Sequence, residues 1–594
     1  MKRADHRKVA ITVVALSLMI AIGSVEAKTV NVADFGAKPD GNDVVGAVRA
    51  AIAECQRVKA KRLIFPKGRY LFRDNLASEK YFFISNNDEG LKRIAFLLEN
   101  VEGLEIDGQD SDFVFDGYVN PFILDHSKKI TLKNFTIDYV RTFHSEGKII
   151  ADPEEGLDVE IPEQFPYEIR NDILVFTDGR RPPRQPDHTT PRRAEYPYGG
   201  LLEFDPVKKE TAFMAGDCGK PELVVKRLGG RKLRLMMQKL TGTPGNVMVF
   251  GPNHRKVPGF VISDSSDTRI EGVTLYHCGG MGVIGQRSHN ITLKRVIITQ
   301  APKSGRVLSI TADATHYVNC TGKIEMAHCR FNTHLDDPSN IHGIYAKIVE
   351  MPSENEILVQ FVHRQQFGFD FIQAGDKLEV VERESLITLG EATVKSVARM
   401  NKEFTRVVLT SPLPKGAEVG DAVAELRDYP EVHIHHCRMS GNRARGFLLN
   451  SRGKTLIEDN YFHIAGTSLL FEGDARFWFE QAGARNCVIR NNMFDNCNYG
   501  VWGRATIEVR AGIEEEHRAR SRYNRNILIE GNTFKAFDNY SQVKMYSVDG
   551  VTIRDNRIEY TDAYPKRGLN AQPFDIVDCD NVVIKDNEFA RPKR

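Results

Sequence analysis

The chain has 594 residues, a formal charge of +2 and nine cysteines. A charge this close to zero gives no electrostatic footing for nucleic acid or an anionic membrane surface. The cysteines are an odd and sparse set, which excludes a disulfide framework.

The chain opens on an export signal. Lys2, Arg3, Arg7 and Lys8 form a basic start, Val9 to Gly23 an apolar run, and Val25-Glu26-Ala27 a small-residue cleavage site. An uncleaved anchor is the competing reading, but the run is short against the roughly 20 residues of a membrane span. Cleavage after Ala27 removes four basic and two acidic side chains and takes the formal charge from +2 to 0. The mature chain is expected to be exported, to a periplasm, a cell surface or the medium, with no membrane span.

Next comes Val30-Asn-Val-Ala-Asp-Phe-Gly-Ala, then a helical pattern from Val44 to Arg57 with Asp43 as its expected N-cap. From Arg62 onward a ladder begins. Its local unit is apolar, any, apolar, two polar, apolar, as in Ile130-Thr-Leu-Lys-Asn-Phe135 and Ile291-Thr-Leu-Lys-Arg-Val296. Later copies end on Asn460, Asn492, Asn532, Asn556 and Asn587, each followed within two residues by Phe or Ile. Alternating apolar residues rich in β-branched types make each unit a strand, and copies 24 to 40 residues apart signal a solenoid. The repeated asparagine suggests a left-handed turn with stacked amides. The fold class is therefore all-β: a right-handed parallel β-helix with an N-terminal capping helix and two inserted β-barrel-like domains. A β-propeller is the alternative, but it needs about four strands per repeat.

The expected layout is a signal (1–27), a cap and first coils (28–141), an inserted β domain (142–250), coils bearing the catalytic aspartates (251–343), a second inserted β-barrel (344–429) and C-terminal coils (430–594). The insertions are expected to wall a pocket on an otherwise open surface. His277-Cys278, His328-Cys329 and His436-Cys437 recur along the ladder. They read either as a metal site or as small residues stacked inside successive coils. Zinc sites usually show tight pairs of ligand spacings, which are missing here, so the stack is preferred and no metal is expected.

The chemistry gathers at Asp313 and at His334-Leu-Asp336-Asp337-Pro-Ser-Asn340-Ile-His342. The 23 residues between Asp313 and Asp336 are about one coil, which brings three carboxylates together. Close carboxylates repel, so at least one stays protonated near neutral pH and supplies a general acid beside a general base. His334, Asn340 and His342 flank this cluster as substrate-binding candidates. A second patch, Glu472, Asp474, Trp478 and Glu480, offers carboxylates for sugar hydroxyls and an aromatic face for the ring. Calcium held by the three acids is a competing reading. So is a core position for Trp478, and solvated positions for Arg443 and Arg445.

These stretches, together with Gly453 to Asn460 and the two insertions, resemble glycoside hydrolase family 110, the α-1,3-galactosidases. That family lies within the pectate-lyase-like β-helix superfamily. The resemblance implies exo-hydrolysis of terminal α-1,3-linked galactose, with inversion and no cofactor, on blood-group-B-type and linear glycans. It implies Asp336 as general acid, with Asp313 and Asp337 positioning and deprotonating water. Pro338-Ser339 departs from the pattern, where small apolar residues are expected, which bears on fine specificity. A polygalacturonase-like hydrolase, a polysaccharide lyase and a non-catalytic glycan-binding solenoid are the alternatives. The Gly-His-Gly and Arg-Ile-Lys motifs of the first are absent from the sequence. The expected partner is a glycan with terminal α-galactose, and a homodimer is compatible with the sequence.

Overall fold

The computed structural model describes residues 28–180, 194–219 and 222–590. The export signal and the proline-rich stretch 182–186 lie outside the described residues. The chain winds as a parallel β-helix. One unbroken rung runs from Val30 through Leu63, Ile106 and Leu132 to Ile270, Leu293 and Met326. It continues through Ile434, Ile457, Ile489, Ile529 and Ile553 to Ile584. A parallel row of Phe462, Phe494 and Phe534 stacks at 4.9 Å between ring centres. Alternation places both rows in the core, where every residue above except Ile584 is buried.

The helix Val45–Val58 lies over the first coil and buries Val45, Val48, Ala51, Ile52 and Cys55. It shields apolar rungs that the end of a solenoid would otherwise expose. Its N-cap is Val44, not Asp43. The Asp43 carboxylate still accepts from Val45 N at 3.1 Å, and from Arg73 N of the coil beneath at 2.9 Å. The acid therefore caps from one residue further out while tying helix to coil.

The asparagines form a ladder. Nδ2 of Asn460, Asn492, Asn532 and Asn556 each donates to Oδ1 of the next, at 2.9–3.0 Å. They are not the left-handed residues. That backbone belongs to the residue before each: Asp459, Asn491, Gly531, Asp555 and Asp586, with φ of 55–64°. The turn thus divides its work, one residue supplying the bend and the next the amide.

Two stretches leave the coils as antiparallel sheet. Strands between Ser145 and Pro252 pair in the order Glu210–Thr211, Tyr198–Asp205, Val247–Pro252, Ser145–Ala151, Leu157–Glu160, Lys232–Leu235, Val225–Gly229. Further on, strand Ser339–Ser353 runs out of a coil and joins Glu356–Gln360, Phe404–Leu409, Ile387–Arg399, Lys377–Glu382 and Ala422–Leu426 in a closed ring. That ring packs its own core around Ile348, Val359, Leu378 and Val407. Among the described residues no helix is long and apolar enough to cross a membrane.

Candidate active site

Asp313 precedes strand Thr315–Val318, and Asp336 and Asp337 precede strand Ser339–Ser353. These strands pair in parallel with His316 opposite Asn340, a register of 24 residues. Asp313 therefore stacks against Asp337, and Ala314 N donates to Asp337 O at 2.9 Å. Across Pro338 the rung continues, since its carbonyl accepts from Thr315 N at 3.1 Å. On the next coil Ser339 faces Phe447, which brings Arg443 and Arg445 alongside from 107 and 108 residues away.

The three aspartates sit in a recessed pocket of about 80 Å³. It opens into a vestibule of about 870 Å³, and Asp336 is the one aspartate of the three that lines both spaces. The vestibule is walled by Gly199–Leu202 and Gly251–Lys256 on one side and by Arg364, Gln365, Phe367 and Lys402 on the other. Both insertions thus contribute walls.

Asn340, Glu472, Asp474, Trp478 and Glu480 also line the pocket. Trp478 is 39% exposed and stands 5.0 Å from the His363 ring, so it is a rim residue and not a core one. The Asp474 carboxylate accepts from the backbone N–H groups of Arg476 (2.6 Å) and Phe477 (2.9 Å), holding the loop that presents Trp478. Asn340 donates to Glu480 at 3.3 Å, while among the described residues its Oδ1 is buried without a partner. Arg510 pairs with Glu472 at 3.0 Å.

His334 and His342 do not line the pocket. His334 is fully buried, turned inward after the left-handed Thr333. His342 lies two residues beyond Asn340 on the same strand, with its Nε2 2.9 Å from Nε2 of His316, a lining residue that the sequence reading missed. Also missed were Arg255, Asn86, Gln365 and Leu448 of the lining. Of the two readings of Arg443 and Arg445, facing the groove or merely solvated, the first holds: both are held on the aspartates.

The charges divide unequally. Burial pushes Asp313 up to about 7, and the neighbouring Asp336 carboxylate adds to this. Burial likewise raises Asp337 to about 7, against the pull of Arg445. Burial also acts on Asp336, but there Arg443, Arg255 and Arg445 overcome it and hold the carboxyl below its ordinary range. Arg255 bonds Asp336 Oδ2 at 2.5 Å and Arg443 bonds Oδ1 at 2.8 Å. Arg445 bonds Asp337 at 2.9 Å.

Hydrogen-bond logic locates one proton. His342 Nδ1 meets the Gly343 carbonyl at 2.7 Å and must donate. In a neutral ring its Nε2 then accepts from His316 Nε2 at 2.9 Å. Burial holds His316 neutral, its titration lying far below the ordinary range. Its Nδ1 is left as an acceptor, facing Asp313 Oδ2 at 2.7 Å. With the His342 ring neutral, Asp313 is the donor of this pair.

Oxygens of the three acids lie within 4.8 Å of one another, a span that one bridging water covers. The same cluster has the spacing of a cation site. Three guanidiniums already neutralise it and two of its acids titrate near 7. That set does not suit calcium, because the guanidiniums already occupy the carboxylate oxygens and repel a second cation.

A recessed cluster of carboxylates on a parallel β-helix is the kind of site that glycosidases use. Comparison with known proteins narrows the class. Residues 145–248 match the family description GLAA-B beta-barrel domain I, and 356–423 match GLAA-B beta-barrel domain II. The chain is 34% identical over 570 residues to alpha-1,3-galactosidase A of Shewanella woodyi, covering 95% of this chain and 91% of that one. It is 31% identical over 586 residues to alpha-1,3-galactosidase B of Bacteroides thetaiotaomicron, covering 96% and 93%. A solved structure, the A-module of mannuronan C-5 epimerase AlgE4 of Azotobacter vinelandii, aligns over 92% of this chain and 99% of that one at 9% identity and a TM-score of 0.37. The chain belongs to the α-1,3-galactosidase family.

Proposed function

We propose that the protein is an exported exo-acting glycosidase that removes terminal α-1,3-linked galactose with inversion. The observation that carries this reading is the recessed pocket in which Asp313, Asp336 and Asp337 meet. A closed-ended space selects a chain end over an internal bond. The relatives' names supply the sugar and the linkage.

Its position supports Asp336 as the acid, because it alone of the three borders the vestibule through which the leaving group would depart. In the resting site it is ionised, and its proton is stored on its neighbours. Transfer of the Asp313 proton to Asp336 leaves Asp313 ionised as base and Asp336 protonated as acid. Asp337, gripped by Arg445, orients the water. When Asp313 takes a proton from the attacking water, His316 and His342 hold its orientation from behind. Arg443 and Arg255 steady the Asp336 carboxylate after it has protonated the leaving oxygen. Trp478 covers the apolar face of the sugar, and Glu480 and Asn340 meet its hydroxyls.

The test is galactose release from galactose-α-1,3-galactose and from a fucosylated B-type trisaccharide. Release by wild type, lost in Asp336→Asn and giving β-galactose first by proton NMR, is the expected result. No release from either sugar would sink the proposal, and α-galactose appearing first would overturn inversion.

A further inference from the structure

Two of the three His-Cys pairs, His328-Cys329 and His436-Cys437, resolve into two different rows, while His277 is buried. Cys329 and Cys437 point inward and take the place that asparagine holds in later coils. Cys329 N donates to Cys437 Sγ at 3.3 Å, and Cys437 N donates to Asn460 Oδ1 at 2.9 Å, so the cysteines extend the ladder. Both thiols are buried and unavailable as ligands. The histidines take the left-handed place, with φ of 55° at His328 and 54° at His436. They therefore project from the outer surface of the sheet on adjacent coils.

His435 completes the group. It ends strand Glu431–His435 and pairs with Ala327, while His328 N donates to its carbonyl at 3.1 Å. Consecutive strand residues normally point to opposite faces. The left-handed turn at His436 breaks that alternation and turns both rings the same way. His435 Nδ1 and His436 Nδ1 are 3.0 Å apart, and the His328 ring stands 4.9 Å from the His436 ring. One nitrogen from each of the three lies within 4.8 Å of the others. Two nitrogens bound tetrahedrally to zinc at about 2.0–2.1 Å stand about 3.3 Å apart, so small rotations close this set on an ion. Among the described residues, the His328 side chain makes no hydrogen bond that would have to be given up.

We propose that His328, His435 and His436 form a binding site for one divalent transition ion of the zinc type, with water completing the shell. Three imidazoles without a thiolate or ionised carboxylate suit Zn²⁺, Cu²⁺ or Ni²⁺ and not Ca²⁺ or Mg²⁺. The adjacent group of Glu325, His433 and His435 is a poorer candidate. There Lys323 holds Glu325 at 2.8 Å and Glu458 holds His433 at 2.9 Å.

The site's place in the chain gives it a task. His328 and His435 are neighbours in space, yet the whole second insertion runs between them in sequence. The ion clips the coil that the insertion leaves to the coil to which it returns. Asp337 and Arg445 pair across the same junction on another face. The ion is thus structural and stands apart from the aspartate pocket.

The test uses tag-free mature chain, stripped with EDTA and titrated with ZnCl₂ by calorimetry. One ion is expected to bind. His328→Asn and His436→Asn are each expected to weaken binding at least 30-fold; asparagine stands in the same left-handed place at Asn491, so these variants should fold. At about 100 times its Kd, zinc is expected to raise Tm by roughly 2 °C in wild type and not in the variants. Cu²⁺ should show three nitrogen ligands by electron paramagnetic resonance. Galactose release should be unchanged by the substitutions. No binding below 1 mM would overturn the proposal, as would equal affinity in both variants or loss of binding in Asp313→Asn instead.

Discussion

The asparagine ladder of the C-terminal coils and the aspartate pocket both bury polar side chains in rows across neighbouring coils, and they differ in how those groups are satisfied. In the ladder each amide donates to the next and accepts in turn, and Asn492 also donates to the Ile457 carbonyl at 2.9 Å. The row is neutral and self-sufficient. In the pocket the acids need guanidiniums from a coil 107 and 108 residues away, two of them titrate near 7, and the Asn340 oxygen has no partner among the described residues. One row stabilises the solenoid. The other carries unspent polarity and local cost, the usual condition of a site prepared for a substrate.

Four changes should separate the rows, in falling order of effect. Asp336→Asn should cut galactose release by at least about 10³-fold, since no acid remains at the vestibule side, while thermal melting shows a folded chain. Arg445→Ala leaves Asp337 buried and unpaired and should cost about 3–5 kcal/mol in denaturant unfolding as well as activity. Asn492→Ala should cost about 1–3 kcal/mol, by leaving ladder partners unsatisfied, with kcat unchanged in a standard assay. Asp313→Asn should have the smallest effect on the fold, protecting it at high pH. A carboxyl raised above its unfolded value keeps its full stability below about pH 4 and loses it as pH rises through about 7. The amide variant avoids that loss, so its Tm should exceed that of wild type by about 2 °C at pH 8 and match it at pH 4.

The fold was largely legible because the strand period is local: alternation, repeated asparagines and β-branched residues mark each coil. The turn was misplaced by one residue, since Asp459 and Asn460 are both good turn formers and only the backbone tells which one bends. Asp313, Asp336 and Asp337 were legible because one coil is short enough to count. Arg443 and Arg445 were not, because the second insertion hides that their coil follows directly on that of Asp337. A count that skipped residues 344–429 would have found them. Arg255 and Gln365 come from the insertions and their borders, where no period exists. His342 shares the face of Asn340, but the His316 ring stands between it and Asp313, which proximity in sequence does not reveal.

The shared-proton account is tested most directly by the pH dependence of galactose release from galactose-α-1,3-galactose. The account predicts a bell-shaped kcat/KM with a basic limb near pH 7, where the cluster gives up the proton that Asp336 must deliver. A rate that stays level or rises from pH 7 to pH 9 would contradict it.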